Sequence, residues 1–109
     1  MFGLALVLAL SSNSSIIVKV DQPFQIRLNV TAGTGYSWRP QTPMPSGLTL
    51  LRVFNEPRAN SIPGGPSQEV LVFRANATGK THLRLEYVRP WERNVKPAKL
   101  QTYTITVHE

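Results

Sequence analysis

Two histidines, His82 and His108, and one aspartate, Asp21, are the residues with which this chain could perform acid–base or metal chemistry. A Ser/His/Asp set would need Asp21 and one histidine to converge on a serine, and no nucleophile-elbow sequence accompanies them. Cysteine is absent, which removes thiolate nucleophiles, thiolate metal sites and disulfides together. Two histidines with scattered glutamates are a poor ligand inventory, and neither common type of glycine-rich phosphate loop is present. This residue supply argues against an enzyme, and no metal or cofactor is expected.

Three segments hold residue types suited to contact rather than catalysis. In the first, Thr31, Ala32, Gly33, Thr34, Gly35 and Tyr36 lead into Ser37 and Trp38. Two glycines flanking a threonine let the backbone adopt positive φ and approach another surface closely, or simply make a loop of unusual dihedrals. Trp38, two residues into the following strand, is expected in the core. The second runs from Asn55 to Ser67 and contains Pro57, Pro63, Gly64, Gly65 and Pro66. A loop of that length without secondary structure is either functional or a floppy insertion, and Gly64-Gly65 suits a strand edge that pairs with a partner's backbone. In the third, Arg89, Pro90, Trp91 and Glu92, proline stiffens the chain so that Trp91 is presented with little entropy to lose. Trp91 is then either a lid on the core or an exposed anchor, and Trp and Arg are enriched among interface hot spots.

The elements that must position these segments read as short strands. Phe24, Ile26, Leu28 and Val30 alternate with polar residues, as do Leu83, Leu85 and Tyr87, and again Tyr103, Ile105 and Val107. Threonines at 102, 104 and 106 suit an exposed strand face. Leu48–Phe54 and Val70–Arg74 are apolar runs ending at turn signals. Asp21-Gln22-Pro23 and the stretch from Ala75 to Lys80 read as tight connections, with Gly79 available for positive φ. No window carries a helical stripe over three turns. A chain of 109 residues, 41% hydrophobic and 17% charged, is expected to be one domain over residues 1–109, and disordered, collagen-like and coiled-coil classes are excluded. The pattern predicts an all-β protein, an immunoglobulin-like β-sandwich without its disulfide.

The apolar run from Phe2 to Leu10 admits two readings. It is the apolar core of a signal peptide, with Ala9-Leu10-Ser11 as the cleavage site, or its latter half is a strand that turns at Ser11–Ser15 into Ile16–Val20. The strand is preferred, because no Lys or Arg precedes the run. It is too short for a transmembrane helix, and no membrane partner is expected. The compartment stays open: periplasmic or secreted if residues 1–11 are a signal remnant.

Taken in order and spacing, the three segments resemble the chagasin family, inhibitors of papain-like cysteine peptidases. The family's first loop reads Asn-Pro-Thr-Thr-Gly-Tyr or Phe, one further residue, then Trp; Thr34-Gly35-Tyr36-Ser37-Trp38 matches its second half. Its second loop carries a Gly-Gly pair, matched by Gly64-Gly65, and its third is Arg-Pro-Trp, matched in full by Arg89-Pro90-Trp91. Thr31, Ala32 and Gly33 stand where the family has Asn, Pro and Thr, which puts affinity or target choice in question. The resemblance implies three loops at one end of the sandwich that enter the active-site cleft of a peptidase of cathepsin L type. The first loop would cover the catalytic Cys–His pair, Gly64-Gly65 would lie along the substrate channel, and Trp91 would pack on an apolar wall. Thr34, Gly35, Tyr36, Gly64, Gly65, Arg89, Pro90 and Trp91 are the implied contacts, with Thr31, Ala32 and Gly33 beside them.

Rival readings use the same residues. A non-inhibitory immunoglobulin-like adhesion module would use Trp91 and leave the first-loop glycines incidental. The net charge of +6, with Arg89, Arg93, Lys96 and Lys99 around Trp91, also fits phosphate contacts beside a stacking platform. A solvated basic loop is the preferred explanation, and no nucleic-acid partner is expected. Asn13, Asn29 and Asn76 sit in glycosylation acceptor patterns that matter only in a secreted eukaryotic protein. A monomer is expected.

Overall fold

A computed structural model describes residues 11–31, 33–57 and 66–109. Seven strands follow in chain order: β1 (Ser11–Lys19), β2 (Pro23–Thr31), β3 (Ser37–Pro40), β4 (Leu48–Pro57), β5 (Pro66–Ala75), β6 (Gly79–Val88) and β7 (Lys99–His108). They form a four-stranded sheet, β1-β7-β6-β3, and a three-stranded sheet, β2-β5-β4. The fold is an immunoglobulin-like all-β sandwich, and the described residues include no helix.

Alternation explains both inner faces. In β6 the side chains of Leu83, Leu85 and Tyr87 point inward, and β7 aligns Tyr103, Ile105 and Val107 beside them. From the other sheet Ile26 and Val30 of β2 and Leu71, Phe73 and Ala75 of β5 complete the core. Phe73, Leu71, Leu83, Leu85 and Ile105 lose all solvent contact. Phe24 stacks on Phe73 at 5.9 Å between centroids and closes the cluster near the start of β2. The tight connections lie where expected. Asp21 takes a left-handed conformation (φ 64°) between β1 and β2, and Gly79 has φ 126° where β6 begins.

Two expectations need correction. Ser11–Ser15 is strand, not turn: these residues are the first half of β1, which runs parallel to β7 in the register Ser11↔Leu100 to Lys19↔His108. The ladder supplies the backbone partners, so a polar stretch at the sheet edge extends where its composition favoured a turn. The run from Asn55 to Ser67 is likewise not loop throughout. β4 continues to Pro57 and β5 starts at Pro66, held by the pairs Asn55↔Glu69, Glu56↔Gln68 and Pro57↔Ser67. The preceding run Leu48–Phe54 is interrupted by a bulge between Leu50 and Arg52, which leaves Leu51 exposed.

Strand directions gather the important connections at one end. Thr31, Ser37, Pro57, Pro66, Val88 and Lys99 are strand termini that lie together, and Ser11 joins them through its pairing with Leu100. The β1–β2, β3–β4 and β5–β6 turns lie at the opposite end.

Phe73→Ala should cost about 3–5 kcal/mol of unfolding free energy, the usual loss for a large aromatic removed from a closed core. Chemical denaturation of the variant beside the parent protein measures it.

Candidate functional site

The first loop joins β2 to β3 and is anchored by an aromatic stack. The ring of Tyr36 lies on Tyr87 of β6, centroids 5.0 Å apart, and Trp38 meets the same Tyr87 at 4.9 Å. Tyr87 also accepts a hydrogen bond at its hydroxyl from the Thr31 amide, 3.4 Å away. Within the loop, the Thr34 hydroxyl donates to the Thr31 carbonyl (2.8 Å), and its oxygen accepts from the Tyr36 amide (3.4 Å). Gly33 and Gly35 both take positive φ, 87° and 85°, which an L side chain resists.

The third loop, between β6 and β7, is built against the first. Glu92 donates its amide to the Arg89 carbonyl at 3.0 Å, a tight turn with Pro90 at its second position, where a fixed φ is favourable. Arg89 makes three contacts: its Nε donates to the Thr34 carbonyl (3.0 Å), its guanidinium lies 4.5 Å from the centre of the Tyr36 ring, and it pairs with Glu92 at 3.6 Å. Trp91 lies on Gly35. A Cβ built on Gly35 would overlap Cη2 of the Trp91 indole and come within 3.2 Å of Cζ2 and Cζ3. The indole nevertheless remains 67% exposed. It is exposed and is not a lid on the core. Asn94 turns the chain back with φ 57°, so that Val95 and Lys96 line a small cleft with Tyr36, Arg89 and Glu92.

Trp38 is core, 7% exposed, as its place in the strand implied. It also ties the two sheets together beneath the first loop. Its indole N–H donates to the Asn29 carbonyl of β2 (3.1 Å), and its backbone N–H donates to the Glu69 carboxylate of β5. Glu69 is the buried charged residue among those described. It sits at the floor of a cleft of about 250 Å³ lined also by Thr31, Gly33, Gly35, Asn55 and Ser67. Burial pushes its carboxyl above the ordinary value of 4.5, and the Trp38 hydrogen bond opposes that rise.

The structure thus brings together Thr31, Gly33, Thr34, Gly35, Tyr36, Arg89, Pro90 and Trp91 at one end of the sandwich. Ala32, Gly64 and Gly65 lie outside the described residues. Sequence reading missed Tyr87 and Glu69 as supports. For Glu69 a signal was present: it shares the parity of Leu71, Phe73 and Ala75, so the alternation of β5 turns it inward. Among the described residues no group of three His, Asp or Glu is placed to hold a metal.

Residues 17–107 match the family described as Chagasin family peptidase inhibitor I42. The chain belongs to the chagasin family. It is therefore a peptidase inhibitor and not an enzyme. Amoebiasin-2 of Entamoeba histolytica is 25% identical over 96 residues, 87% of this chain and 78% of that protein. The crystal structure of the cysteine protease inhibitor EhICP2 from Entamoeba histolytica superposes with a TM-score of 0.73 at 23% identity, covering 91% of this chain and 93% of the other. PbICP-C, solved in complex with falcipain-2, gives a TM-score of 0.50 at 21% identity over 89% and 88% of the two chains. At these identities the solved structures establish a shared fold, and the chagasin-family assignment rests on the match over residues 17–107.

Three outcomes follow from the geometry. Gly35→Ala should dislodge Trp91 from the first loop while leaving the sandwich folded, seen as increased acrylamide quenching of tryptophan with an unchanged far-ultraviolet spectrum. Glu69 has a folded-state pKa above its unfolded value, so its stabilising effect is complete below about pH 4.5 and is lost as pH rises through the folded value. Glu69→Gln keeps an oxygen acceptor for the Trp38 amide without the charge. Its melting temperature relative to the parent should therefore climb as pH rises above about 4.5. Glu69→Ala should be destabilised by about 1–3 kcal/mol, because a buried N–H loses its partner.

Proposed function

We propose that this chagasin-family chain is a reversible inhibitor of papain-like cysteine peptidases of cathepsin L type, acting as a monomer. The loop end is a wedge that enters the active-site cleft. The observation that carries this reading is the indole of Trp91, 67% exposed yet seated on Gly35 and flanked by an arginine that holds the neighbouring loop. An exposed tryptophan fixed in place before binding offers apolar area at little entropic cost, which is what a binding anchor needs.

Each loop has its own role. Thr34, Gly35 and Tyr36, with Thr31, Ala32 and Gly33 leading into them, cover the catalytic Cys–His pair and exclude substrate and water. No scissile bond is presented there in a cleavable pose. Gly64-Gly65, in the connection between β4 and β5, pairs with the extended wall of the substrate channel. Trp91, stiffened by Pro90, packs on an apolar wall at the other side, and Arg89 keeps the first and third loops in register. Two features support this division. The wedge is assembled from both sheets, and the first and third loops contact one another directly. PbICP-C is a structural relative solved with the peptidase falcipain-2.

The test is residual activity of a papain-like peptidase on a fluorogenic peptide, titrated with the purified protein beside a serine peptidase. Nanomolar inhibition of the cysteine enzyme alone is expected. Trp91→Ala should weaken inhibition by about 2 kcal/mol or more, roughly 30-fold in the inhibition constant. An unchanged constant for the folded variant would remove Trp91 from the anchoring role.

A further inference from the structure

The third loop carries an uncompensated charge that the anchoring role of Trp91 does not use. Residues 89–99 hold Arg89, Arg93, Lys96 and Lys99 against one carboxylate, Glu92, a net +3 in eleven residues and half of the chain's +6. Glu92 is taken up by Arg89. The other acids cannot neutralise the rest. Glu56 pairs with Arg27, Glu86 pairs with Arg39, and Glu69 accepts the Trp38 amide. Asp21 and Glu109 follow β1 and β7 at the opposite end of the sandwich. Lys99 lies over the Tyr87 ring, 5.3 Å from its centre. Arg93 and Lys96 are exposed, and neither has a carboxylate partner among the described residues.

Their placement is specific. Arg93 follows Trp91 by two residues, and the left-handed Asn94 returns the chain so that Lys96 lines the cleft beside Tyr36 and Arg89, where the two carboxylates of the lining, Glu86 and Glu92, are already paired with Arg39 and Arg89. Val95, 59% exposed, stands between them. One loop thus exposes two apolar side chains, Trp91 and Val95, and two cations that form no ion pair among the described residues. From this we infer that Arg93 and Lys96 form a steering and selectivity rim, complementary to a peptidase that carries carboxylates beside the apolar wall of its cleft. This rests on the proposed inhibitory function and adds the electrostatic character of the target. Exposed charges at the edge of an interface act chiefly on association rate and on partner choice, and their reach is set by the Debye length, about 10 Å at 0.1 M salt.

The experiment uses the full chain and an Arg93→Glu/Lys96→Glu variant. Association and dissociation rates are measured by progress-curve inhibition on two papain-like peptidases of opposite net charge, over about 20 to 500 mM sodium chloride. For the acidic peptidase, the variant should associate at least about fivefold more slowly at low salt, with a near-constant dissociation rate and a difference that shrinks as salt rises. For the basic peptidase the sign of the change should reverse. Equal association rates and equal salt dependence for the two proteins would overturn the rim while leaving the inhibitory function standing. Absence of inhibition of either enzyme by the folded parent protein would overturn both. Retention of the parent on a single-stranded oligonucleotide at about 150 mM salt, lost in the variant while peptidase association is unchanged, would assign the cations to nucleic acid and also overturn the rim.

Discussion

Trp91 and Gly35 meet with no side chain between them, and the arrangement of the first and third loops depends on that contact. The third loop brings a large flat ring to the first loop at a position where only hydrogen stands on the Cα. The same glycine has φ 85°, so backbone conformation and packing ask for the same residue. Arg89 reinforces the contact from the side by binding the Thr34 carbonyl and lying across Tyr36. Two loops that would be mobile separately become one body, which lowers the entropy to be lost when a partner is met.

Below that body lies a polar seam that is unusual for a sandwich interior. Trp38 spends both of its N–H groups on the opposite sheet, one on the Asn29 carbonyl and one on Glu69. Burying a carboxylate opposes stability unless donors satisfy it, and the rise in its pKa expresses that cost. The gain is geometric. The edge strand β3 has four residues and pairs only with β6, and the Glu69 bond fixes its first turn of chain against β5. The loop that precedes β3 inherits that position.

Much of the fold was legible because the core strands alternate cleanly. Phe24 to Val30, Leu83 to Tyr87 and Tyr103 to Val107 each place one apolar face inward, and the structure agrees at each. What misled was composition where pairing decides. Ser11–Ser15 reads as a turn by residue type but is strand, because β7 offers it a ladder. Asn55 to Pro57 and Pro66 to Ser67 read as loop but extend a hairpin whose register is set deeper in β4 and β5. At the site, glycines, Arg-Pro-Trp and Trp38 announced themselves by type. Tyr87 and Glu69 did not: the alternation of β6 and β5 turns both inward, but their roles come from partners distant in sequence, Tyr36 and Trp38 on Tyr87 and the Trp38 amide on Glu69.

The loops at this end of the sandwich belong to different sheets. The β4–β5 connection springs from the three-stranded sheet, the β6–β7 loop from the four-stranded sheet, and the β2–β3 loop bridges the gap between them. The spacing of these loops is therefore the spacing of the sheets, and the sheets are held apart by Phe73, Leu71, Leu85 and Ile105. Core volume in this protein acts as a caliper setting. A bulkier or smaller core residue would widen or narrow the proposed wedge, so that its fit to a cleft would be tuned from the interior without altering a single loop residue.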